Sequence, residues 1–465
     1  MVPLTPNSIH LVDIDNTTTL FFHTDTLQIY PLKKDSEILS FLQRFQCNGE
    51  HIKGVDYAFE DYERLYQFVC DKISTAPLSG GVEVSTEQYF FDCVVLPIAA
   101  QCNLSCPYCF AYTDDGFHFE NYTEEYIIHT LDFLVKQKSD EQESINIVFF
   151  GGEPLLRLDI MKFTIQYAKQ HYPTRKFAYS ITTNGTILNE EIIDLLKTNN
   201  IAVLLSVDGP DNEFNLRRYH NGTKSIGRVL DNIRKMKESG INIELRATMV
   251  NTNPYVLETF LFFEKLEIPF DVVFAYVSEN QSHHYADYDK NTLQHIQSQL
   301  DDLLQYYVDL IRHKKTIYNS ILTHFAKVFH YRFKQSIPCS AGHTYFTIMS
   351  NGNVYTCPHF MNDDKYIVGN INSKDIIDSV RRKQLMPFPI EEVQDCKDCW
   401  AHNLCLGGCI GQKLSVNRSN TSSLGYESCQ LQQIQWDFYL KLYYYIQTMA
   451  PEYLRTINNG SMVPI

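Results

Sequence analysis

Between residues 91 and 330, apolar runs with strand character alternate with segments whose apolar residues recur every three to four positions. CVVLPI (93–98), INIVFF (145–150), FAYSIT (177–182), IAVLLSV (201–207), IELRATMV (243–250) and FDVVFAYV (270–277) predict six strands. EEYIIHTLDFLVKQ (124–137), PLLRLDIMKFTIQYAKQ (154–170), EEIIDLLKT (190–198), IGRVLDNIRKM (226–236) and YVLETFLFFEKL (255–266) predict the helices between them, and helical segments continue to about 334. Six β/α units in succession imply an α/β chain whose parallel sheet winds into a partial (β/α)6 TIM-like barrel. In such barrels the working residues lie in the loops after the strand C-terminal ends.

The flanks differ. IHLVDI (9–14), TLFFHT (19–24) and TLQIYPL (26–32) predict three short strands, and EILSFLQRF (37–45) and YERLYQFVCDKI (62–73) two helices, so residues 1–75 read as a small β-β-β-α-α unit. The polar, glycine-containing stretch 74–88 reads as a linker or exposed hairpin, and residues 76–90 are taken as the linker. Residues 335–430 carry seven cysteines and little periodic structure, as expected of a region held by metal rather than by a core. QQIQWDFYLKLYYYIQTM (432–449) predicts a helix within a C-terminal segment, 431–465. There are no repeats and no low-complexity segments.

Composition narrows the function classes. The chain has 465 residues, enough for about three domains, with an ordinary globular balance of hydrophobic and charged residues. Forty basic against 55 acidic residues give a net charge of −15, without the basic surplus of a nucleic-acid binder. No apolar run approaches the roughly 18 residues of a membrane span. The first residues lack the basic and apolar regions of a signal peptide. A cytoplasmic protein is expected. Thirteen cysteines, an odd number, then argue for metal binding rather than disulfides, and ten of them fall in two groups. Cys47, Cys70 and Cys93 match no motif and read as buried small hydrophobes.

The first group follows the first barrel strand. In AAQCNLSCPYCFAY, Cys102, Cys106 and Cys109 have the spacing C-x3-C-x2-C. Three thiolates so close can cap one face of a [4Fe–4S] cluster and leave one iron open to a small molecule. A zinc site or three core cysteines fits the spacing as well. After the second strand, FFGGEP offers Gly151 and Gly152, which allow close backbone approach, then Glu153, able to accept from an ammonium, and Pro154. After the third and fourth strands, SITTNG supplies Ser180, Thr182 and Asn184, and SVDGP supplies Ser206 and Asp208. Helix caps and turns use the same residue types.

In this order the segments resemble the signature of radical S-adenosylmethionine (SAM) enzymes. The resemblance implies that the open iron chelates the amino and carboxylate groups of SAM. Electron transfer then cleaves the sulfonium to methionine and a 5′-deoxyadenosyl radical. It places Tyr108 against the adenine and Gly151, Gly152, Glu153 and Pro154 at the SAM amino group. Ser180, Thr182, Asn184, Ser206 and Asp208 fall along the methionyl and ribose parts. Arg218 of NLRR, with Arg217 as neighbour, falls where an arginine meets the SAM carboxylate, a pairing that suits a guanidinium. Arg246, on the fifth strand, points into the barrel or to a helix.

The second group reads C-x12-G-x4-C through Cys339, Gly352 and Cys357, then C-x2-C-x5-C-x3-C through Cys396, Cys399, Cys405 and Cys409, with Cys429 last. Two four-cysteine zinc sites would need eight thiolates. The arrangement resembles the seven-cysteine SPASM extension of radical SAM enzymes, which implies two auxiliary clusters and so three [4Fe–4S] clusters in all. Cys396, Cys399, Cys405 and Cys429 would ligate one completely. Cys339, Cys357 and Cys409 would ligate the other. No cysteine lies between 109 and 339, so its last iron is expected open or held by a non-cysteine ligand. His343 and His359 lie near in sequence. Sulfatase-maturing relatives place an aspartate base directly after the G-x4-C cysteine; here that residue is Pro358.

The β-β-β-α-α head resembles the winged-helix-like recognition domain of ribosomal-peptide maturases. That implies a precursor leader adding as a strand along TLQIYPL, beside YERLYQFVCDKI. The combined expectation is a radical SAM oxidoreductase, a peptide maturase. A hydrogen atom is taken from a precursor peptide and a crosslink closes, a thioether before a carbon–carbon bond. Epimerisation or a protein side-chain substrate are alternatives within the class. Flavodoxin or ferredoxin would supply electrons, and neither nucleic acid nor membrane is a partner. The non-enzyme alternative is a zinc-bearing peptide-binding protein.

Overall fold

β1 (Ile9–Asp13), β2 (Thr18–His23) and β3 (Gln28–Lys33) form an antiparallel meander with β2 in the middle. The computed structural model describes residues 4–73, 87–112, 116–138, 143–211, 213–275, 288–415, 418–456 and 462. Helix α1 (Glu37–Asn48), capped by the Ser36 side chain on Leu39 N–H, and α2 (Phe59–Ile73) follow. Ile9 and Phe21 pack with Phe41, Leu42, Phe45, Leu65 and Val69 into a core of the head's own. Val12, Leu20 and Phe22 turn the other way and join the main core. The sheet is therefore buried on both faces. His10 stacks on Trp400 with ring centroids 3.4 Å apart, and its Nε2 lies 2.6 Å from Asp437 Oδ1. Cys70 is buried in the head core, as expected, but Cys47 is exposed on the last turn of α1. Most of the expected linker lies outside the described residues.

The barrel strands are β4 (Cys93–Ala99), β5 (Ile145–Gly151), β6 (Phe177–Thr183), β7 (Ala202–Ser206), β8 (Ile243–Met249) and β9 (Phe270–Phe274). They stand side by side in chain order, all parallel. Order without reversal means that every crossover winds the same way, so the sheet curls toward a barrel instead of opening into a doubly wound layer. The crossover helices are α3 (Glu124–Lys136), α4 (Leu158–His171), α5 (Glu190–Thr198), α6 (Ile226–Glu238) and α7 (Val256–Leu266). Alternate residues decide the two faces. Val94, Leu96 and Ile98 meet Ile127, Leu131 and Leu134 of α3 in the core. The opposite positions, among them Ser180, Thr182, Ser206, Arg246 and Thr248, are half-buried and line the barrel interior.

Two long helices, α8 (Lys290–Arg312) and α9 (Ser320–Tyr331), close the barrel part. β10 (Tyr345–Ile348) then pairs parallel with β4, and the hairpin strand β11 (Asn353–Tyr355) and β12 (Gly369–Asn370) extend the sheet to nine strands. The cysteine-rich region is thus sewn to the barrel edge. Its short helices are α10 (Ser379–Gln384), α11 (His402–Cys405) and α12 (Ile410–Ser415). The last helix, α13 (Tyr426–Met449), starts six residues before the sequence pattern predicts and runs back along α8 and α9. Among the described residues, no helix is long and apolar enough to cross a membrane.

Candidate active site

The loop after β4 carries Cys102, Cys106 and Cys109, and the three thiols lie within electrostatic reach of one another. Cys102 Sγ accepts from Leu104 N–H at 3.4 Å and from Asn184 Nδ2 at 3.7 Å. Burial pushes the Cys102 thiol up to about 11 and raises Cys106 and Cys109 as well. Dry thiols of this kind keep their protons until a metal displaces them.

Asp208, at the end of β7, holds the side of this loop. Its Oδ1 accepts from Arg217 Nε at 3.1 Å and Thr248 N–H at 3.2 Å, and Tyr108 donates its hydroxyl to Oδ2. Arg217 Nη1 reaches Cys106 Sγ at 3.9 Å, and the guanidinium carbon lies 5.5 Å from the Tyr108 ring centroid. Burial works against the Arg217 charge, but Asp208, Tyr108 and Cys106 outweigh it and hold the group cationic. Arg217, the neighbour of Arg218, thus reaches the triplet with its side chain. Arg218 meets the loop through its backbone, its carbonyl accepting from Ser105 N–H at 2.7 Å.

Glu153 lies in the loop after β5. Its carboxylate is fully buried. Oε1 accepts from Leu155 N–H at 3.0 Å and Thr183 Oγ1 at 2.8 Å, and Oε2 from Asn184 N–H at 2.8 Å. It ties the loop after β5 to the loop after β6, and burial raises its pKa. The glycines serve the same join. Gly151 has φ +129°, and a Cβ there would lie 2.4 Å from Ala99 O; a Cβ on Gly152 would lie 2.2 Å from Gln101 O. The two residues let the cysteine loop lie directly on the end of β5, where Gly152 N–H donates to Ala99 O at 2.7 Å. Pro154 opens a short 3-10 turn. Asn184 donates to Asn103 Oδ1 at 2.8 Å, and Asn103 in turn donates to Thr186 Oγ1 at 2.8 Å, two residues that no sequence motif singles out. Ser180, Thr182 and Ser206 are half-buried on the strands, on the face opposite the core positions. Arg246 points into the barrel, Nη2 pairing with Asp271 Oδ2 at 2.8 Å.

The seven later cysteines separate into two sets. Cys339, Cys357 and Cys409 act on one another; Cys339 is exposed, and desolvation pushes the Cys357 thiol well up. Cys396, Cys399, Cys405 and Cys429 line one cavity, together with His402, Gly407, Gln432 and Gln433. Gln433 Nε2 lies 3.5 Å from Cys399 Sγ. Among the described residues, no group of three or more His, Cys, Asp or Glu converges as one ion would require. Thiols standing around a space fit a multi-iron cluster, whose core fills it. Gly352, φ +85°, turns the β10–β11 hairpin that delivers Cys357.

An apolar wall joins the triplet to the first of these sets. Ala111, Met349, Tyr355, Phe360 and Met361 form it, with Cys109, Phe110, Phe150 and Cys357 packed against it. The Phe110 ring lies 4.0 Å from that of His359, a half-buried imidazole whose pKa desolvation lowers to about 4. His343 is buried. Cys93, pushed up to about 11 by burial, is half-buried beside Tyr345 on β10.

Residues 96–261 match the family model described as the radical SAM superfamily, and residues 339–400 the SPASM model, described as an iron-sulfur cluster-binding domain. The chain is 25% identical over 361 residues to the serine-type anaerobic sulfatase-maturating enzyme of Bacteroides thetaiotaomicron, covering 72% of this chain and 86% of that one. A shorter match is 31% identical over 168 residues and covers 36% of this chain but only 56% of the length of an uncharacterized Methanocaldococcus jannaschii protein, MJ0907. Among solved structures, anSMEcpe with bound AdoMet aligns with a TM-score of 0.63 at 19% identity, over 79% of this chain and 98% of that one. Streptococcus suis SuiB bound to precursor peptide SuiA aligns with a TM-score of 0.50 at 14% identity, over 92% and 99%.

Proposed function

From the premise that this chain is a radical SAM/SPASM enzyme, we propose that it matures a ribosomally made precursor peptide by abstraction of a hydrogen atom. The observation that carries the reading is the apolar wall against which both Cys109 and Cys357 pack, which brings the triplet and an auxiliary cysteine set to one apolar cluster. Cys102, Cys106 and Cys109 would hold the SAM-binding [4Fe–4S] cluster. Cys339, Cys357 and Cys409 would hold the nearer auxiliary cluster, and Cys396, Cys399, Cys405 and Cys429 the farther one. When bound, SAM and its cluster supply a 5′-deoxyadenosyl radical.

The protein's own groups bind, orient and exclude water. Arg217 and Asp208 fix Tyr108 and the Cys106 side of the triplet. Ser180, Thr182 and Ser206 offer hydroxyls along the interior, and Glu153 sets the backbone of two loops around it. Phe110, Phe150 and His359 exclude water where the substrate carbon would sit. The thioether is the product we assign. Only three cysteines surround the nearer auxiliary site, which leaves a place for a substrate thiolate. Electrons would come from flavodoxin or ferredoxin.

The leader would add along β3. That strand is an edge with no ladder partner other than β2 among the described residues, and Tyr30 Oη donates to Lys72 O at 2.6 Å, which seats the end of α2 beside it. SuiB, of similar fold over nearly the whole chain, was solved with its precursor peptide. A second reading, modification of a protein side chain, is favoured by the sulfatase-maturating relatives. It is opposed by Pro358, which is buried and offers no base where those enzymes place an aspartate.

The test is the mass of the candidate precursor co-expressed with the protein under anaerobic conditions. Loss of two hydrogens, absent with Cys102→Ala, is expected. An unchanged mass with SAM still cleaved would overturn the crosslink.

A further inference from the structure

Lys413 lies on α12, one turn beyond Cys409, its N–H donating to Cys409 O at 3.1 Å. Its side chain does not reach water, for the residue is 3% exposed. The ammonium donates to one carbonyl, Asn420 O, at 3.3 Å, and no ion pair to a carboxylate is found for it among the described residues. Gly407 makes room for it: a Cβ there would lie 3.1 Å from Nζ, with Val393 and Ile390 next nearest. A buried ammonium against an apolar wall, with one carbonyl for company, is costly unless another negative charge faces it.

That charge is available on two sides. The ammonium acts on Cys409 and Cys339 of one set and on Cys396, Cys405 and Cys429 of the other. These are thiols while the sites are empty and thiolates once they ligate. A cluster held by thiolates carries net negative charge, and reduction adds one electron without requiring a bond to form or break. A fixed cation nearby stabilises the reduced form more than the oxidised one.

We propose that Lys413 is a positioning residue for electron transfer, a single buried cation shared by both auxiliary clusters that raises the reduction potential of each. The inference rests on the cluster assignment proposed above. It gives the cysteine-rich domain one electrostatic setting for two redox sites, so that the pair shifts together. Arg217 has the corresponding place beside Cys106, but Asp208 neutralises it; Lys413 has no such partner.

The test is an EPR-monitored redox titration of the reconstituted holoenzyme as wild type, Lys413→Met and Lys413→Arg, with iron counted in each. The signal that changes on adding SAM belongs to the first cluster and serves as an internal reference. In Lys413→Met both SAM-insensitive signals should shift to lower potential by tenfold or more in the reduced-to-oxidised ratio, 59 mV for one electron. Lys413→Arg should restore most of the shift, and the reference should stay put. Fully loaded Lys413→Met with either auxiliary potential unchanged overturns the proposal, since a residue needed only for packing would lower iron content and leave the remaining potentials alone. Should Lys413→Met load no auxiliary iron, Lys413→Gln is read by the same criterion. Wild-type protein without two SAM-insensitive clusters would overturn the cluster assignment itself, and the proposal with it.

Discussion

Arg217 donates Nε to Asp208 Oδ1 at 3.1 Å; the Asp208 side chain is buried and that of Arg217 is mostly covered. The pair clamps Tyr108 and Cys106 from one side. Arg217→Met would leave Asp208 buried and unpaired, a change that costs about 3–5 kcal/mol when one partner of such a pair is removed. SAM cleavage, read as 5′-deoxyadenosine released, should fall at least a hundredfold. Arg218→Met should stay within about threefold of wild type. Equal losses in the two variants would mean that the adjacent arginines share the work.

Gly152 is where the cysteine loop touches β5. A methyl group there would enter the Gln101 carbonyl at 2.2 Å, and backbone cannot yield as a flexible side chain can. Gly152→Ala should displace the triplet and spare the cysteines of residues 339–429. Reconstituted iron is expected to drop by one cluster's share, with the auxiliary signals intact. Full iron and normal SAM cleavage would show that the loop has room the geometry denies.

The register of β3 makes a prediction about the leader. Lys34 N–H donates to Thr17 O at 2.9 Å, so the alternate residues 28, 30 and 32 face β2 and Ile29, Pro31 and Lys33 face the open edge. Pro31 has no N–H to give. An added strand would thus find donors at Ile29 and Lys33 with a gap between. Pro31→Ala fills the gap, and one net hydrogen bond, about 1 kcal/mol, should tighten leader binding about fivefold. Fluorescence anisotropy with a labelled leader measures it. Unchanged affinity would move the leader away from this edge.

How far the sequence carried can be judged residue by residue. The helix read at 190–198 is Glu190–Thr198 in the structure, because Asn189 caps it and apolar residues recur on one face. The start of α13 escaped the periodicity because its first turns are polar, built around Cys429 at the cavity instead of a core. Arg217 and Arg218 are indistinguishable as adjacent letters. What separates them is the strand-like pairing of Tyr219 with Leu104, which sets the direction each one faces. The burial of Glu153 and its three donors cannot be seen in GGEP. The β10–β4 pairing joins residues about 250 apart, beyond any local pattern.

Glu264 of α7 ties pH to stability. It is 6% exposed, accepts from Tyr307 Oη at 2.9 Å and from Tyr318 N–H at 3.0 Å, and burial pushes its pKa up to about 7 from an ordinary 4.5. Below the ordinary value, folded and unfolded chains both hold the proton. Between 4.5 and 7 the folded chain keeps a proton that the unfolded chain has released, so stability falls as pH rises through that window and levels off above it. Each unit corresponds to about 1.4 kcal/mol. Glutamine keeps an acceptor for Tyr318 and never ionises. Glu264→Gln should therefore be more stable than wild type at pH 8, and the advantage should grow by about 1 kcal/mol between pH 6 and pH 8, read as a difference in urea midpoints. An advantage independent of pH would mean that Glu264 stays ionised in the folded chain throughout.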